Sequence, residues 1–136
     1  MTDSNDSNAT ANVDPALLTI RLITDMAAAR ISIKPSELKD LGCDATRVIP
    51  CVGHTGKDIA AAATEALETP EAASALPQTG AVAALITCDS KTSLSDVSNG
   101  IDVIREKLPK DATIIWGMDF QDNLESCRVS LLLFTK

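Results

Sequence analysis

Apolar and polar positions along the chain predict an ordered series of helices and strands. Apolar residues follow the Asp14-Pro15 pair on more than one face, which predicts a helix that packs on two sides. The alternation over residues 31–34 predicts an extended segment. A short helix should follow over residues 35–41, and Gly42 should end it.

Further along the chain, four apolar runs predict the strands of one sheet. Residues 81–88 (AVAALITC) are continuously apolar, which is typical of a central strand covered on both faces. Residues 47–52 contain Pro50, which favours an edge or bulged strand. Residues 113–118 and 128–134 supply the remaining strands. The acidic connection over residues 119–126 predicts a closing hairpin, with the last strand antiparallel to its neighbour.

Two main helices are predicted between these strands. An alanine-rich helix should follow the glycine turn at residues 53–56, with Thr55 and Asp58 as a variant capping box. The second helix has an apolar stripe with steps of three and four residues and should be capped by Thr92 or Ser93. The resulting fold class is α/β. It is a two-layer sandwich in which the two helices pack on a mixed four-stranded sheet, with right-handed crossovers where strands are parallel.

Length and composition place this pattern in a single domain. The chain has 136 residues, and residues 1–13 are polar and acidic, which predicts a disordered tail before a domain over residues 14–136. The tail lacks the basic start and apolar core of a signal peptide, and no apolar run approaches the roughly 20 residues of a membrane span. A cytoplasmic location is therefore expected.

The charge balance argues against several classes of partner. The formal net charge is −7, which disfavours nucleic acids and anionic membranes because both need a basic footprint. Aromatic residues make up only 2% of the chain, so a base-stacking platform is not expected.

The candidate chemical groups do not form a recognised catalytic or metal motif. The four cysteines include no C-x-x-C pair and are interpreted as reduced, mostly buried thiols. The GHTGKD segment at residues 53–58 lies where a phosphate loop would, but it lacks that loop's first glycine and its Ser or Thr. His54 is the single histidine and has no identifiable nucleophile beside it. No catalytic residue, cofactor or metal is predicted.

Several segments of the chain together match one protein family in order and spacing. Residues 104–106 (IRE) end the second helix, ATIIWG follows at residues 112–117, and RVSL follows at 128–131 after an acidic connection. The GKD and alanine-rich segment from residue 56 and the strand from residue 80 precede them. These segments resemble the I-I-R-E, A-N-I-I-F-G, V-R-V-T, G-E-D-R-A-x-x-A-A and G-V-L-V-N-I-T segments of the bacterial tubulin homologue FtsZ, over residues 31–135. The match is to its C-terminal subdomain.

The departures from the family matter for function. The G-G-G-T-G-[ST]-G loop of the family's GTP-binding domain does not occur in this sequence. In the family, an N-x-D-x-x-D segment reaches the nucleotide of the next subunit and completes the GTPase site. The matching positions here are Ser32, Lys34 and Glu37, so one carboxylate is altered and the other is replaced by a cation. GTP hydrolysis by this chain alone is therefore not expected.

The resemblance implies a non-catalytic assembly module, related to the cytoskeleton of cell division. The expected partners are further copies of the chain, as a homo-oligomer, or a tubulin-like GTPase. The expected contact residues are Ser32, Lys34 and Glu37, with His54 and Lys57 as possible additions. The alternative is a small-molecule protein, either a binding protein or an enzyme, with an anion site between subunits. That site would be lined by Lys34, Arg47, His54, Lys57 and Arg128.

Overall fold

The structure, a computed structural model, describes residues 15–54, 58–89, 91–121 and 127–135. The predicted tail at residues 1–13, together with Thr55 and Lys57, lies outside these ranges. The elements in chain order are α1 Pro15–Ala28, α2 Pro35–Gly42, β1 Arg47–Gly53, α3 Ile59–Leu67, α4 Pro70–Ala75, a 3₁₀ turn Leu76–Gln78, β2 Thr79–Cys88, α5 Leu94–Lys107, β3 Thr113–Phe120 and β4 Arg128–Thr135.

The strands form the predicted mixed four-stranded sheet, in the order β1-β4-β2-β3. Strand β4 runs antiparallel to both β1 and β2, whereas β2 and β3 are parallel. The edge position predicted for the strand with Pro50 is confirmed, since β1 pairs only with β4 in the described residues.

The predicted closing hairpin is wrong, although the antiparallel direction of the last strand is correct. Strand β2 lies between β3 and β4, so the short connection joins two strands that do not pair. The reason is burial, because every residue of β4 after Arg128 is buried. A strand that is apolar on both faces is most stable inside the sheet, between two other strands.

Helices cover both faces of this sheet. On one face, α3, α4 and α5 pack on the β2 residues Val82, Ala84 and Ile86. This packing is the predicted sandwich of sheet and main helices. On the other face, α1 and α2 pack on the intervening residues Ala81, Ala83 and Leu85. The alternation of a strand's side chains thus divides one apolar sequence between two cores.

Helix α1 differs from its prediction in how it packs. Its residues Leu22 and Met26 are buried against the sheet, but Leu17 and Ile20 remain 63% and 60% exposed. The expectation that this helix packs on two sides is therefore wrong for the described residues. An apolar face is left on the outside of α1.

Side-chain caps set where the two main helices begin. The Ala61 amide donates to Asp58 Oδ1 at 2.7 Å, so Asp58 is itself the N-cap of α3. The predicted capping box, in which Asp58 would be the third helical residue, is wrong. Ser93 is confirmed as the N-cap of α5, where its Oγ accepts from the Asp96 amide at 3.2 Å.

Two glycines allow α3 to approach its neighbours closely. A Cβ on Gly53 of β1 would overlap the Ala62 carbonyl oxygen of α3. A Cβ on Gly100 of α5 would instead overlap the Ile59 side chain. The first obstacle is backbone within a helix, whereas the second is the buried side chain of Ile59.

We expect Gly53→Ala to lower the free energy of unfolding more than Gly100→Ala does. Overpacking costs about 1–3 kcal/mol, and the larger value applies where backbone must move. Urea unfolding followed by far-ultraviolet circular dichroism measures both variants. Equal stability of Gly53→Ala and the parent chain would contradict the close packing of α3 on β1.

Candidate interaction surface

The segment that precedes α2 is held against the outer edge of β3. The Ile31 amide donates to the Met118 carbonyl oxygen, and the Met118 amide donates to the Ile31 carbonyl oxygen, each at 2.9 Å. This antiparallel bridge lies outside the regular strands. It fixes the predicted extended segment to the sheet.

Gly117 makes this attachment possible. A Cβ at Gly117 would overlap the Ile31 carbonyl oxygen and would lie 3.1 Å from the Ile33 side chain. Any larger residue would push the segment away from β3. A single glycine in the strand therefore determines where residues 31–33 lie.

Two buried side chains anchor the segment to the core. Ile33 is 2% exposed and Leu38 is 6% exposed, and both belong to the core between the sheet and helices α1 and α2. The Lys34 amide also donates to Glu37 Oε1 at 3.1 Å, which closes the first turn of α2. The backbone from Ile31 to Leu38 is thus held at both ends.

The predicted contact residues lie on the outer side of this anchored segment. Ser32, Lys34 and Glu37 are all exposed. Ser32 and Lys34 flank the buried Ile33 because successive residues of an extended chain point in opposite directions, whereas Glu37 lies in the first turn of α2, next to the buried Leu38. The hydrogen bond from Lys34 to Glu37 holds those two residues together, a few positions after the bridge that joins Ile31 to the edge of β3.

Large apolar side chains flank the same edge, which sequence reasoning did not foresee. Ile31 is 49% exposed and Trp116 is 41% exposed. The backbone groups of Ile114 and Trp116 also point outward, because they share the alternation that directs Met118 to Ile31. The sequence does not mark Trp116 as an exposed residue, because it lies within the apolar run of residues 113–118.

His54 lies away from this surface. It follows β1, at the opposite edge of the sheet from β3, so the width of four strands separates it from Lys34. It is exposed, and its backbone amide donates to Glu65 Oε1 at 3.1 Å. Lys57, the other possible contact, lies outside the described residues.

The cationic groups of the anion-site alternative are dispersed over the described structure. Arg47 begins β1 and Arg128 begins β4, at opposite ends of the sheet, while Lys34 lies beside β3. A cavity of about 210 Å³ near the end of α2 is lined instead by Asp40 and Asp44, whose charges disfavour an anion. The described residues therefore do not bring all five groups into one pocket, because Arg47 lies at the end of the sheet opposite His54 and Arg128, and Lys57 lies outside the described ranges.

In the described ranges, no three His, Cys, Asp or Glu side chains come together as a metal site would require. No helix within those ranges has the length and apolarity to cross a bilayer.

Comparison by sequence finds no relatives. No protein-family model matches the chain, and no curated protein matches it.

Comparison by structure finds several tubulin-like proteins. A mutant FtsZ from M. jannaschii superposes with a TM-score of 0.72 at 16% identity, over 89% of this chain and 38% of that one. CetZ from Methanosaeta thermophila has a TM-score of 0.65 at 13% identity, over 85% and 34% of the two chains. TubZ-Bt in a four-stranded filament also gives 0.65, at 14% identity, over 94% and 34%.

These matches show the fold of the chain. The chain spans well under half the length of each of these proteins. This partial match is consistent with correspondence to their C-terminal region. The expected likeness to the FtsZ C-terminal subdomain is confirmed at the level of fold.

We expect Gly117→Ala to detach the segment from β3. The added methyl group would occupy the position of the Ile31 carbonyl oxygen, so both bridge hydrogen bonds would be lost. Hydrogen exchange should show faster exchange of the Ile31 and Met118 amides. Gly100→Ala, which overpacks α5 against Ile59, is the control for a general loss of stability and should not single out the Ile31 and Met118 amides. Unchanged protection in Gly117→Ala would contradict the role assigned to this glycine.

Proposed function

We propose that this chain, which has the fold of the C-terminal region of FtsZ, CetZ and TubZ, is a non-catalytic assembly module. It associates with further copies of itself or with a tubulin-like GTPase. The observation that most favours this function is the anchored segment of residues 31–37 beside an open strand edge. The proposed contact surface consists of Ser32, Lys34 and Glu37.

The anchored segment suits protein association because it is ordered before any partner arrives. Its backbone is held by the bridge to Met118 and by the buried side chains of Ile33 and Leu38. A contact made by a preorganised segment loses less conformational entropy than one made by a mobile loop. The exposed side chains of Ile31 and Trp116 add apolar area, which is typical of the centre of an interface.

Helix α1 supports the same proposal. Leu17 and Ile20 form an apolar face that the described core does not cover. A helix that is apolar on two faces is typical of an element packed between two bodies. Association is one way to bury the second face.

The absence of catalysis is proposed from the residues at the matching family positions. Lys34 and Glu37 stand where the resemblance implies the two carboxylates that complete the GTPase site, so one carboxylate is kept in altered form and the other is replaced by a cation. An ammonium group cannot accept a proton from water or polarise it as a carboxylate does. Lys34 is suited instead to an ion pair with an acidic group on a partner.

We expect the parent chain to self-associate or to co-sediment with a tubulin-like GTPase from the same organism, and Lys34→Glu to weaken that contact. Sedimentation velocity of the chain, alone and with the GTPase, measures both. Lys39→Glu is the matched control, because it makes the same charge change at another exposed position of α2. Exposed salt bridges contribute about 0.2–1 kcal/mol, so the expected loss of affinity is a few-fold.

We expect Trp116→Ser to weaken association more than Lys34→Glu does, because it removes a large apolar contact area. Leu94→Ser is the matched control, since Leu94 is 78% exposed at the start of α5, which packs on the sheet face opposite α1 and α2. Sedimentation velocity again measures the association. A parent chain that stays monomeric and binds no GTPase would overturn the proposed function.

We also expect no saturable binding of GTP to this chain. Fluorescence anisotropy with a labelled GTP analogue measures this, with a tubulin-like GTPase as the positive control. Tight binding by the parent chain would contradict the non-catalytic assignment.

A further inference from the structure

Two cysteines face each other at one end of the central strands. The β2–β4 ladder pairs Thr87 with Arg128, so its register, extended by one residue, sets Cys88 opposite Cys127. Both side chains belong to the core beneath α3 and α5, and Cys88 and Cys127 are 0% and 8% exposed. The two thiols therefore share one face of the sheet.

The hydrogen bonds of β2 identify the type of this cross-strand pair. The Cys88 carbonyl oxygen accepts from the Gln121 amide at 3.0 Å, so the backbone groups of Cys88 point toward β3 and away from β4. One residue beyond the end of the β2–β4 ladder, Cys88 and Cys127 thus correspond to a non-hydrogen-bonded pair. At such positions the Cα atoms are about 4.5 Å apart and the side chains approach most closely.

This spacing satisfies the main geometric demand of a disulfide. Disulfide-linked cysteines have Cα atoms roughly 4.4–6.8 Å apart and side chains that point to the same side. Both conditions follow here from the strand register and from the shared core face.

The remaining cysteines are differently placed. Cys51 pairs with Leu131 across β1 and β4, so four residues along β4, roughly 13 Å, separate that site from Cys127. Cys43 is exposed at the end of α2, on the other side of the sheet. The geometry therefore selects one pair among the four cysteines.

The surroundings of the pair make it slow to react at neutral pH. Burial raises the pKa of both thiols above the usual value, and nearby Asp89 raises both further. The charge of Cys88 also raises the pKa of Cys127, as expected for neighbouring sulfur atoms. Because the thiolate is the nucleophile, exchange should accelerate as pH rises.

We propose that Cys88 and Cys127 form an intrachain disulfide when the chain meets a small disulfide oxidant. The Cys127 thiolate, the more exposed of the two, attacks the oxidant, breaks its S–S bond and releases one thiolate. The Cys88 thiolate then attacks the mixed disulfide at the Cys127 sulfur and displaces the second thiolate. Two protein thiols lose two protons and two electrons, and the oxidant becomes two thiols.

The disulfide would fasten one structural unit of the fold. The chain between Cys88 and Cys127 contains α5 and β3, so the bond closes a covalent loop around both elements. A cross-link that restricts the unfolded chain raises stability. The edge of β3, and with it the proposed contact surface, would open less readily in the oxidised chain.

Peptide mapping of the full chain tests this proposal. The chain is incubated with oxidised glutathione at pH 7 and pH 9, its remaining thiols are alkylated, and the digest is analysed by mass spectrometry. We expect a peptide pair linked through Cys88 and Cys127, formed faster at pH 9 and lost on reduction. The melting temperature should rise by several degrees in the oxidised monomer and return on reduction.

Variants separate this pair from the other cysteines. A Cys43→Ser, Cys51→Ala chain should still gain the cross-link and the higher melting temperature. A Cys88→Ala chain should show glutathione bound to Cys127 and no rise in melting temperature. The proposal is wrong if oxidation links other cysteines. It is also wrong if Cys88 and Cys127 of the parent chain are each recovered as alkylated thiols, with no cross-link, after incubation with the oxidant at pH 9 in urea just below the unfolding transition.

Discussion

The structure depends on the burial of β2 and β4 on both faces. Their residues are almost uniformly apolar and buried, so neither strand is stable at an edge or beneath a single layer of helices. Helices α3, α4 and α5 cover one face, and α1 and α2 cover the other. The same requirement places β4 between β1 and β2, although β3 is its neighbour in sequence.

The two outer strands then meet solvent in different ways. Strand β1 carries Pro50, which has no amide hydrogen to offer to another strand. Strand β3 has no proline, and the bridge from Ile31 to Met118 pairs it at one point within the described residues. Gly117 permits that bridge, so a small residue at one position determines which surface the segment before α2 presents.

The two ends of the sheet also differ in their chemistry. Cys88, Asp89 and Arg128 meet where β2 ends and β4 begins, whereas Asp40 and Asp44 lie near the opposite end. The thiol pair and the segment beside β3 are separate features, but both involve the unit of α5 and β3. A disulfide between Cys88 and Cys127 would therefore also restrict the opening of the segment beside β3.

The sequence by itself determined the kind and order of the main elements, the central position of β2 and the edge position of β1, and it narrowed the cap of α5 to Thr92 or Ser93. These features follow from local causes, namely periodicity, the missing amide of Pro50 and the reach of a hydroxyl group to a nearby amide. Motif order also indicated the fold, despite the low sequence identity to solved structures.

Only the tertiary structure decided which strands pair, which apolar residues stay exposed and which cysteines meet. The chain order favoured a hairpin of β3 and β4, but the burial of β4 depends on segments far away in sequence. Trp116 is exposed because β3 lies at an edge, and Cys88 faces Cys127 because β4 pairs with β2. Pairing between distant segments is set by the total surface that the whole chain buries, and no local pattern encodes that quantity.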